Sequence, residues 1–326
     1  MCGIYGYVGE IKKGKEKIVY DLMTFLAIHT ESRGKHSTGY VGYTEKEIIL
    51  EKDPSRASIF VHKSKHMENL ITKKGCRVFI GHNRYATHGP KDTLNAHPFM
   101  GEKFAMVHNG VCREAFKLAK RFGVFKKIKS ECDTEAVLRL ADKFGFTKRV
   151  FEKVSSYSVV ALDLESKKVL FARDSERPMI IFDLREELGI RVFASEVEIF
   201  EYAAYDANVE SEKISFFSTK PYHIYECDHT TGEVNNLGEY EPKVKPAPKP
   251  APKPKIDAVA YEHHIYSDDG YFDPIDIRNT PPSNYSMGWS GGDKLKSKFN
   301  KALDKISMSK VVKRKKGSKK IIEVIK

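Results

Sequence analysis

No apolar run in the chain approaches the roughly 18 residues that a membrane-spanning helix needs, and the amino terminus has neither the apolar core nor the cleavage site of a secretory signal. A membrane span and an export route are not indicated, and a cytoplasmic location is the expectation. Cysteine is scarce. Cys2, Cys76, Cys112, Cys132 and Cys227 are odd in number and form no C-x-x-C pair, so the spacing indicates neither a disulfide framework nor a zinc site, and the five read as reduced thiols. The acids Asp268, Asp269, Asp273 and Asp276 lack the closing glutamate of an EF-hand loop and read as a solvated turn. Neither a metal nor a cofactor is expected.

What is present suffices for a large core: 326 residues, 40% of them hydrophobic. Charge is unevenly spread. Residues 1–240 carry 37 Lys and Arg against 34 Asp and Glu, whereas 241–326 carry 19 against 10, so most of the net +12 lies in the last quarter. An alternating proline spacer from Pro242 to Lys255 marks the boundary. Polyproline II at ~3.1 Å per residue would hold its ends roughly 40 Å apart. The expected domains are therefore a globular one at 2–240, a Pro/Lys linker at 241–255, and a low-order region at 256–326 that ends in a basic amphipathic helix or tail.

Within the globular part, Ile4 to Val8 alternates like a strand, and Glu16 to His29 puts Ile18, Val19, Leu22, Met23 and Leu26 at helical spacing. Residues 32–43, rich in Gly, Ser and Thr, read as a loop. Cys76 to Ile80 and Phe104 to Val107 read as strands that run into two polar loops, Gly81 to Pro90 and His108-Asn109-Gly110. Helices are expected at Glu114 to Phe122 and Thr134 to Phe144, the second capped by Asp133. Beyond it the character is β, with strands near 157–163, 169–172, 179–182, 191–194, 214–217 and 222–227 and one helix at 196–204. Two sheets with helices on their outer faces is the expected architecture.

The stretch with the most chemistry is Met1-Cys2-Gly3-Ile4. If Met1 is trimmed, Cys2 holds a thiol and a free α-amine in one residue, so nucleophile and general base arrive together. Alone, Cys2 is as readily a small hydrophobe at the start of a strand. Its neighbours in the pattern tip that balance: the Gly81 to Gly89 loop, Asn95-Ala96-His97-Pro98, His108-Asn109-Gly110, Asp133-Thr134-Glu135, Ala172-Arg173-Asp174 with Arg177-Pro178, and Ala194-Ser195-Glu196. In this order the set resembles the class II glutamine amidotransferases, amino-terminal-nucleophile (Ntn) hydrolases, over about residues 2–230. The glutaminase domains of glucosamine-6-phosphate synthase and glutamine phosphoribosylpyrophosphate amidotransferase are the nearest in look. The resemblance implies an α+β, four-layer αββα Ntn-hydrolase sandwich.

It also implies roles for matching positions. Cys2 would attack the δ-carbonyl of L-glutamine, with Asn109 and Gly110 supplying the oxyanion donors. Arg84 would grip the substrate α-carboxylate, Asp133 would hold the α-ammonium, Thr87 and His88 would line the pocket, and Arg33 would neighbour the nucleophile. Read without that resemblance, Asp133 is a helix cap, Arg84 a surface ion pair, and His88 and His97 structural histidines; His97 keeps the structural reading even with it. Three positions depart from the family pattern: His36 stands where an acidic residue is usual, Tyr85 where tryptophan is, and Asn83 where threonine is.

Members of this family continue into a domain that consumes the ammonia, and 86 residues opening with a proline spacer are too few for one. The expectation is a glutaminase that supplies a separate synthase partner. Two alternatives stand beside it: a hydrolase of another γ-glutamyl compound, and a catalytically silent glutamine-binding regulatory or interaction protein. Ser290-Gly291-Gly292-Asp293 resembles a pyrophosphate loop only in passing, since no apolar strand precedes it. The basic end, 294–326, reads as a solubilising tail or as a contact for nucleic acid or an acidic partner.

Overall fold

The computed structural model describes residues 2–210, 214–244 and 321–325. Along the chain β1 (Gly3–Gly9) is followed by α1 (Glu16–Thr30), β2 (Ser37–Tyr43), β3 (Ile48–Asp53), α2 (Ala57–Lys63), α3 (Lys65–Thr72) and β4 (Val78–Arg84). Next come β5 (Phe99–Met100), β6 (Phe104–Gly110), α4 (Ala115–Arg121), a 3-10 turn at Phe125–Lys127, α5 (Asp133–Phe144), α6 (Lys148–Phe151), β7 (Tyr157–Asp163), β8 (Val169–Arg173) and β9 (Ile180–Leu184). The remaining elements are α7 (Arg185–Leu188), β10 (Ile190–Ala194), α8 (Val197–Asp206), β11 (Ser215–Ser218), β12 (His223–Cys227), β13 (Val234–Glu239) and β14 (Ile321–Ile325).

These strands form two sheets. The larger has eight strands in the order β11-β9-β10-β1-β4-β2-β3-β14, and the smaller six, β13-β12-β8-β7-β6-β5. Every recorded pairing is antiparallel, from Tyr5 opposite Ala194 on one side of β1 to Gly3 opposite Asn83 on the other. Three apolar clusters then fix four layers. Tyr5, Tyr7 and Phe79 pack under α1, α2, α3 and α8; Ile4, Val8, Ile80, Val107 and Val160 fill the space between the sheets; Met106, Val159 and Ala161 pack against α4, α5 and α6. The expected αββα sandwich is the observed one. Because successive side chains on a strand point to opposite faces, each central strand feeds two cores at once, so both faces must be apolar.

Several local readings change. Residues 37–43 form a strand, not a loop, because β2 lies between β4 and β3 and is buried along its length, and pairing on both sides outweighs its Gly, Ser and Thr content. The polar tripeptides His82-Asn83-Arg84 and His108-Asn109-Gly110 belong to strands β4 and β6, not to loops beyond them. A strand can carry such residues inside when their polar atoms find partners: His82 Nε2 lies 3.0 Å from the His108 carbonyl, and Asn83 donates to the Ala27 carbonyl at 2.7 Å. Helices α2 and α3 and strand β13 have no counterpart in the sequence reading.

Of the expected linker, only 241–244 are described, and 256–320, which hold most of the expected low-order region and its basic end, lie outside the described residues. Residues 321–325 form a strand. Ile321–Ile325 pairs with β3, Ile321 opposite Lys52 and Ile325 opposite Ile48, and so covers an otherwise open sheet edge. No helix among the described residues is long and apolar enough to cross a membrane.

Candidate active site

Strand parity carries the site. On β1, Ile4 and Val8 face the smaller sheet while Tyr5 and Tyr7 face the helices, so Cys2 continues the inter-sheet row. By the same alternation Val78 and Ile80 on β4 lead to His82 and Arg84, and Ala105 and Val107 on β6 lead to Asn109. The hydrogen bond from His82, opposite Ile4, to the backbone of His108 ties these rows together at one end of the sandwich.

Cys2 is half-buried. The Tyr85 N–H donates to its Sγ at 3.3 Å, and Arg33 Nε donates to its carbonyl at 2.8 Å. Arg33 in turn pairs with Glu196, and Ser195 accepts from the Ile4 N–H at 3.0 Å. The Ala194-Ser195-Glu196 motif therefore acts as a brace for the start of β1. Burial pushes the Cys2 thiol above its ordinary value and Asp133 adds to that, while the Tyr85 N–H and the Arg84 guanidinium pull the other way. A thiol held up by burial needs a base to take its proton, which is what a free α-amine on the same residue offers.

Asn109 is 2% exposed and its Nδ2 is buried without a hydrogen-bond partner. A donor left in that condition costs about 1–3 kcal/mol, so it is an unusual thing to keep in a core. Gly110 ends β6 at φ +154, where an added Cβ would lie 1.7 Å from the Ser156 carbonyl oxygen, so glycine is required there. Asp174 supports this end from behind, accepting the N–H of Tyr157, the residue opposite Gly110.

Arg84 is buried, and its guanidinium donates to the carbonyls of Pro90, at 3.0 Å, and His88, at 2.5 Å. It thus shapes the exposed loop that carries Thr87 and His88, whose Oγ1 and Nδ1 are 3.3 Å apart. The same loop is held from the other side by His36, which accepts the Ala86 N–H at 2.8 Å and lies against the Tyr85 ring. Burial and the charges of Lys91 and Arg84 lower the His36 pKa, favouring the neutral ring that can accept. An acidic residue at this position could also accept, so the departure at 36 keeps the contact and removes the charge.

Asp133 opens α5 rather than capping it: Cys132 occupies the cap position, and the Asp133 carboxylate accepts the Cys112 N–H at 2.6 Å. Its other oxygen accepts from the Cys132 thiol at 3.7 Å, and the group stays partly exposed. His97 follows its structural reading. It is buried against the His82 ring at 3.9 Å, with Nε2 3.2 Å from Thr134 Oγ1 and Nδ1 accepting the His108 N–H at 3.3 Å. No motif or spacing signals what gathers around Asp133: among the described residues, His108, Cys112 and Asp133 hold ligand atoms within 4.8 Å of one another.

A glutamine amidotransferase domain family model matches residues 57–238, more than half of the chain. The chain belongs to the class II glutamine amidotransferases. Among curated relatives of this amidotransferase chain, the glutamine--fructose-6-phosphate aminotransferase [isomerizing] of Bacillus spizizenii (strain ATCC 23059 / NRRL B-14472 / W23) is 30% identical over 198 residues, and that of Bacteroides thetaiotaomicron is 28% identical over the same length. Each match covers 56% of this chain and 30% of the relative, so the chain spans about a third of the length of the curated relatives it matches. Two solved structures share the fold. Glutamine phosphoribosylpyrophosphate amidotransferase from B. subtilis, complexed with ADP and GMP, superposes with a TM-score of 0.55 at 21% identity, covering 73% of this chain and 49% of that one. The allosteric regulatory enzyme of purine biosynthesis gives 0.56 at 21%, covering 74% and 50%.

Proposed function

We propose that the domain hydrolyses L-glutamine through Cys2, exposed as the amino-terminal residue when Met1 is removed. The thiol attacks the δ-carbonyl while its own α-amine takes the thiol proton and passes it to the departing ammonia; a glutamyl thioester remains on Sγ, and water then releases glutamate. Asn109 Nδ2 and the Gly110 N–H receive the developing oxyanion. Arg84 turns a nitrogen to the α-carboxylate, Asp133 takes the α-ammonium with the oxygen that the Cys132 thiol otherwise contacts, Thr87 and His88 line the entrance, and Arg33 fixes the Cys2 backbone. The observation that carries this reading is the unpartnered, buried amide nitrogen of Asn109, which continues the inter-sheet row of β6 as Cys2 continues that of β1. A core tolerates such a donor where an acceptor arrives only with the substrate.

The ammonia is consumed, on this reading, by a synthase separate from this domain, to which the segment beyond residue 240 contributes contacts. The glutaminase domain is 2–240 and the proline segment 241–255 is its tether. The test is glutamate and ammonia release from L-glutamine by the purified protein, with Cys2→Ala alongside and intact mass to verify removal of Met1. Release abolished by Cys2→Ala supports the reading. A Met1-free protein that neither turns over glutamine nor forms a covalent adduct with a glutamine analogue at Cys2 refutes it.

A further inference from the structure

The ring of His108, the thiol of Cys112 and the carboxylate of Asp133 come from three places, the end of β6, the loop after it and the first turn of α5. Their ligand atoms lie within 4.8 Å of one another, and two of the three residues are fully buried. We propose that these residues form a binding site for a thiophilic divalent cation such as Zn²⁺, and that the cation competes with glutamine.

Donor set and spacing support the assignment. One imidazole, one thiolate and one carboxylate suit zinc, which leaves a fourth position open when the protein supplies three ligands. Zinc bonds of about 2.05 Å to nitrogen and 2.3 Å to sulfur at a tetrahedral angle put those two atoms about 3.6 Å apart; His108 Nε2 and Cys112 Sγ are 3.7 Å apart. Outer contacts already orient two of the three ligands. His108 Nδ1 lies 3.0 Å from Thr134 Oγ1, which leaves Nε2 for the metal, and one Asp133 oxygen is fixed by the Cys112 N–H, which leaves the other to exchange its 3.7 Å contact with the Cys132 thiol for the metal. Binding replaces the thiol proton, which leaves to solvent, and ends the 3.3 Å contact of His108 Nε2 with the Ser156 carbonyl. No electron transfer is involved.

The competition rests on the reading of Asp133 as the α-ammonium site: a cation there occupies the oxygen that the substrate ammonium needs. The binding itself does not rest on it and is tested without turnover. Full-length Cys2→Ala protein, reduced with a phosphine, is titrated with Co²⁺ as the probe. The expected result is one Co²⁺ per chain, with the intense visible bands of a tetrahedral ion and a single thiolate charge-transfer band. Both should be lost in Cys2→Ala/Cys112→Ser and kept in Cys2→Ala/Cys132→Ser. Absence of the bands in the Cys2→Ala protein, or their persistence without Cys112, would overturn the site. Should the Cys112 variant misfold, the ¹¹³Cd resonance of the Cys2→Ala protein decides between one sulfur ligand and none. In the turnover assay, Zn²⁺ buffered at ten times its Kd should raise the KM for glutamine about tenfold with kcat unchanged. Equal inhibition of Cys112→Ser would assign the effect to Cys2 instead and remove the competition.

Discussion

Replacing Asn109 by alanine separates catalysis from folding. The side chain is buried at the end of β6 with its Nδ2 unpartnered, so truncation breaks no hydrogen bond of that nitrogen. It removes a donor whose burial costs about 1–3 kcal/mol, and this relief offsets the small cavity left behind. The unfolding free energy of Asn109→Ala should therefore stay within about 1 kcal/mol of the parent. The rate should not. Loss of one oxyanion donor typically costs about 2.7–4 kcal/mol of transition-state stabilisation, a fall of 10²–10³ in kcat with KM little changed. Glutamate release under saturating glutamine and urea titration of the same preparations give both numbers. A fall in kcat of less than about fivefold would refute the oxyanion role. A fall matched by an equivalent loss of stability would mean that Asn109 is structural.

Three other outcomes are expected. In Gly3→Ala the new Cβ would lie 2.1 Å from Thr30 Cγ2, so the variant should lose about 1–3 kcal/mol of stability and most activity; Gly3→Ala/Thr30→Ser, which removes the obstructing methyl, should recover part of both, and no recovery would show that the clash is not the cause. Burial holds His82 at about 3, and burial likewise lowers His97 and His108. His82 therefore stays neutral in the fold down to about 3 while it protonates near 6.5 in the unfolded chain, and His97 and His108 act in the same direction, so the unfolded state binds more protons below that pH. Stability should fall as pH drops from about 6.5 toward 4, by up to ~1.4 kcal/mol per unit for each ring; an unchanged urea midpoint between pH 6.5 and 5 would contradict this. Deleting 321–326 removes the strand beside β3, and hydrogen exchange of β3 amides should quicken at least about tenfold, with protection unaltered if β14 does not pair in solution.

Much of the fold was legible because its signal is local. The helical spacing of Val19, Leu22, Met23 and Leu26 and the short apolar runs of β7, β8 and β10 are read directly from side-chain period, and the observed elements begin and end within a few residues of the expected ones. What misled was composition where pairing decides. Ser37 to Tyr43 looks like a loop until β3 and β4 lie on either side of it. Ile321 to Ile325 looks like the end of a basic tail until β3 offers an edge.

The sequence by itself determined which residue types are available for splitting an amide: a thiol at position two, an amide and a glycine in tandem, an arginine in a polar segment, an acid before a helix. Its order of motifs was enough to name the family. Tertiary structure alone decided where those groups meet and in what state. Only the crossing of β1, β4 and β6 leaves the Asn109 nitrogen without a partner, turns Arg84 onto the loop of His88 and Pro90, and spends one Asp133 oxygen on the Cys112 N–H. It also makes His36 an acceptor for Ala86 and brings Cys112 to His108. The physical reason is common to all of these. Hydrogen bonds between residues distant in the chain depend on which strands are neighbours, and a one-dimensional pattern fixes the face a side chain takes but not the partner opposite it.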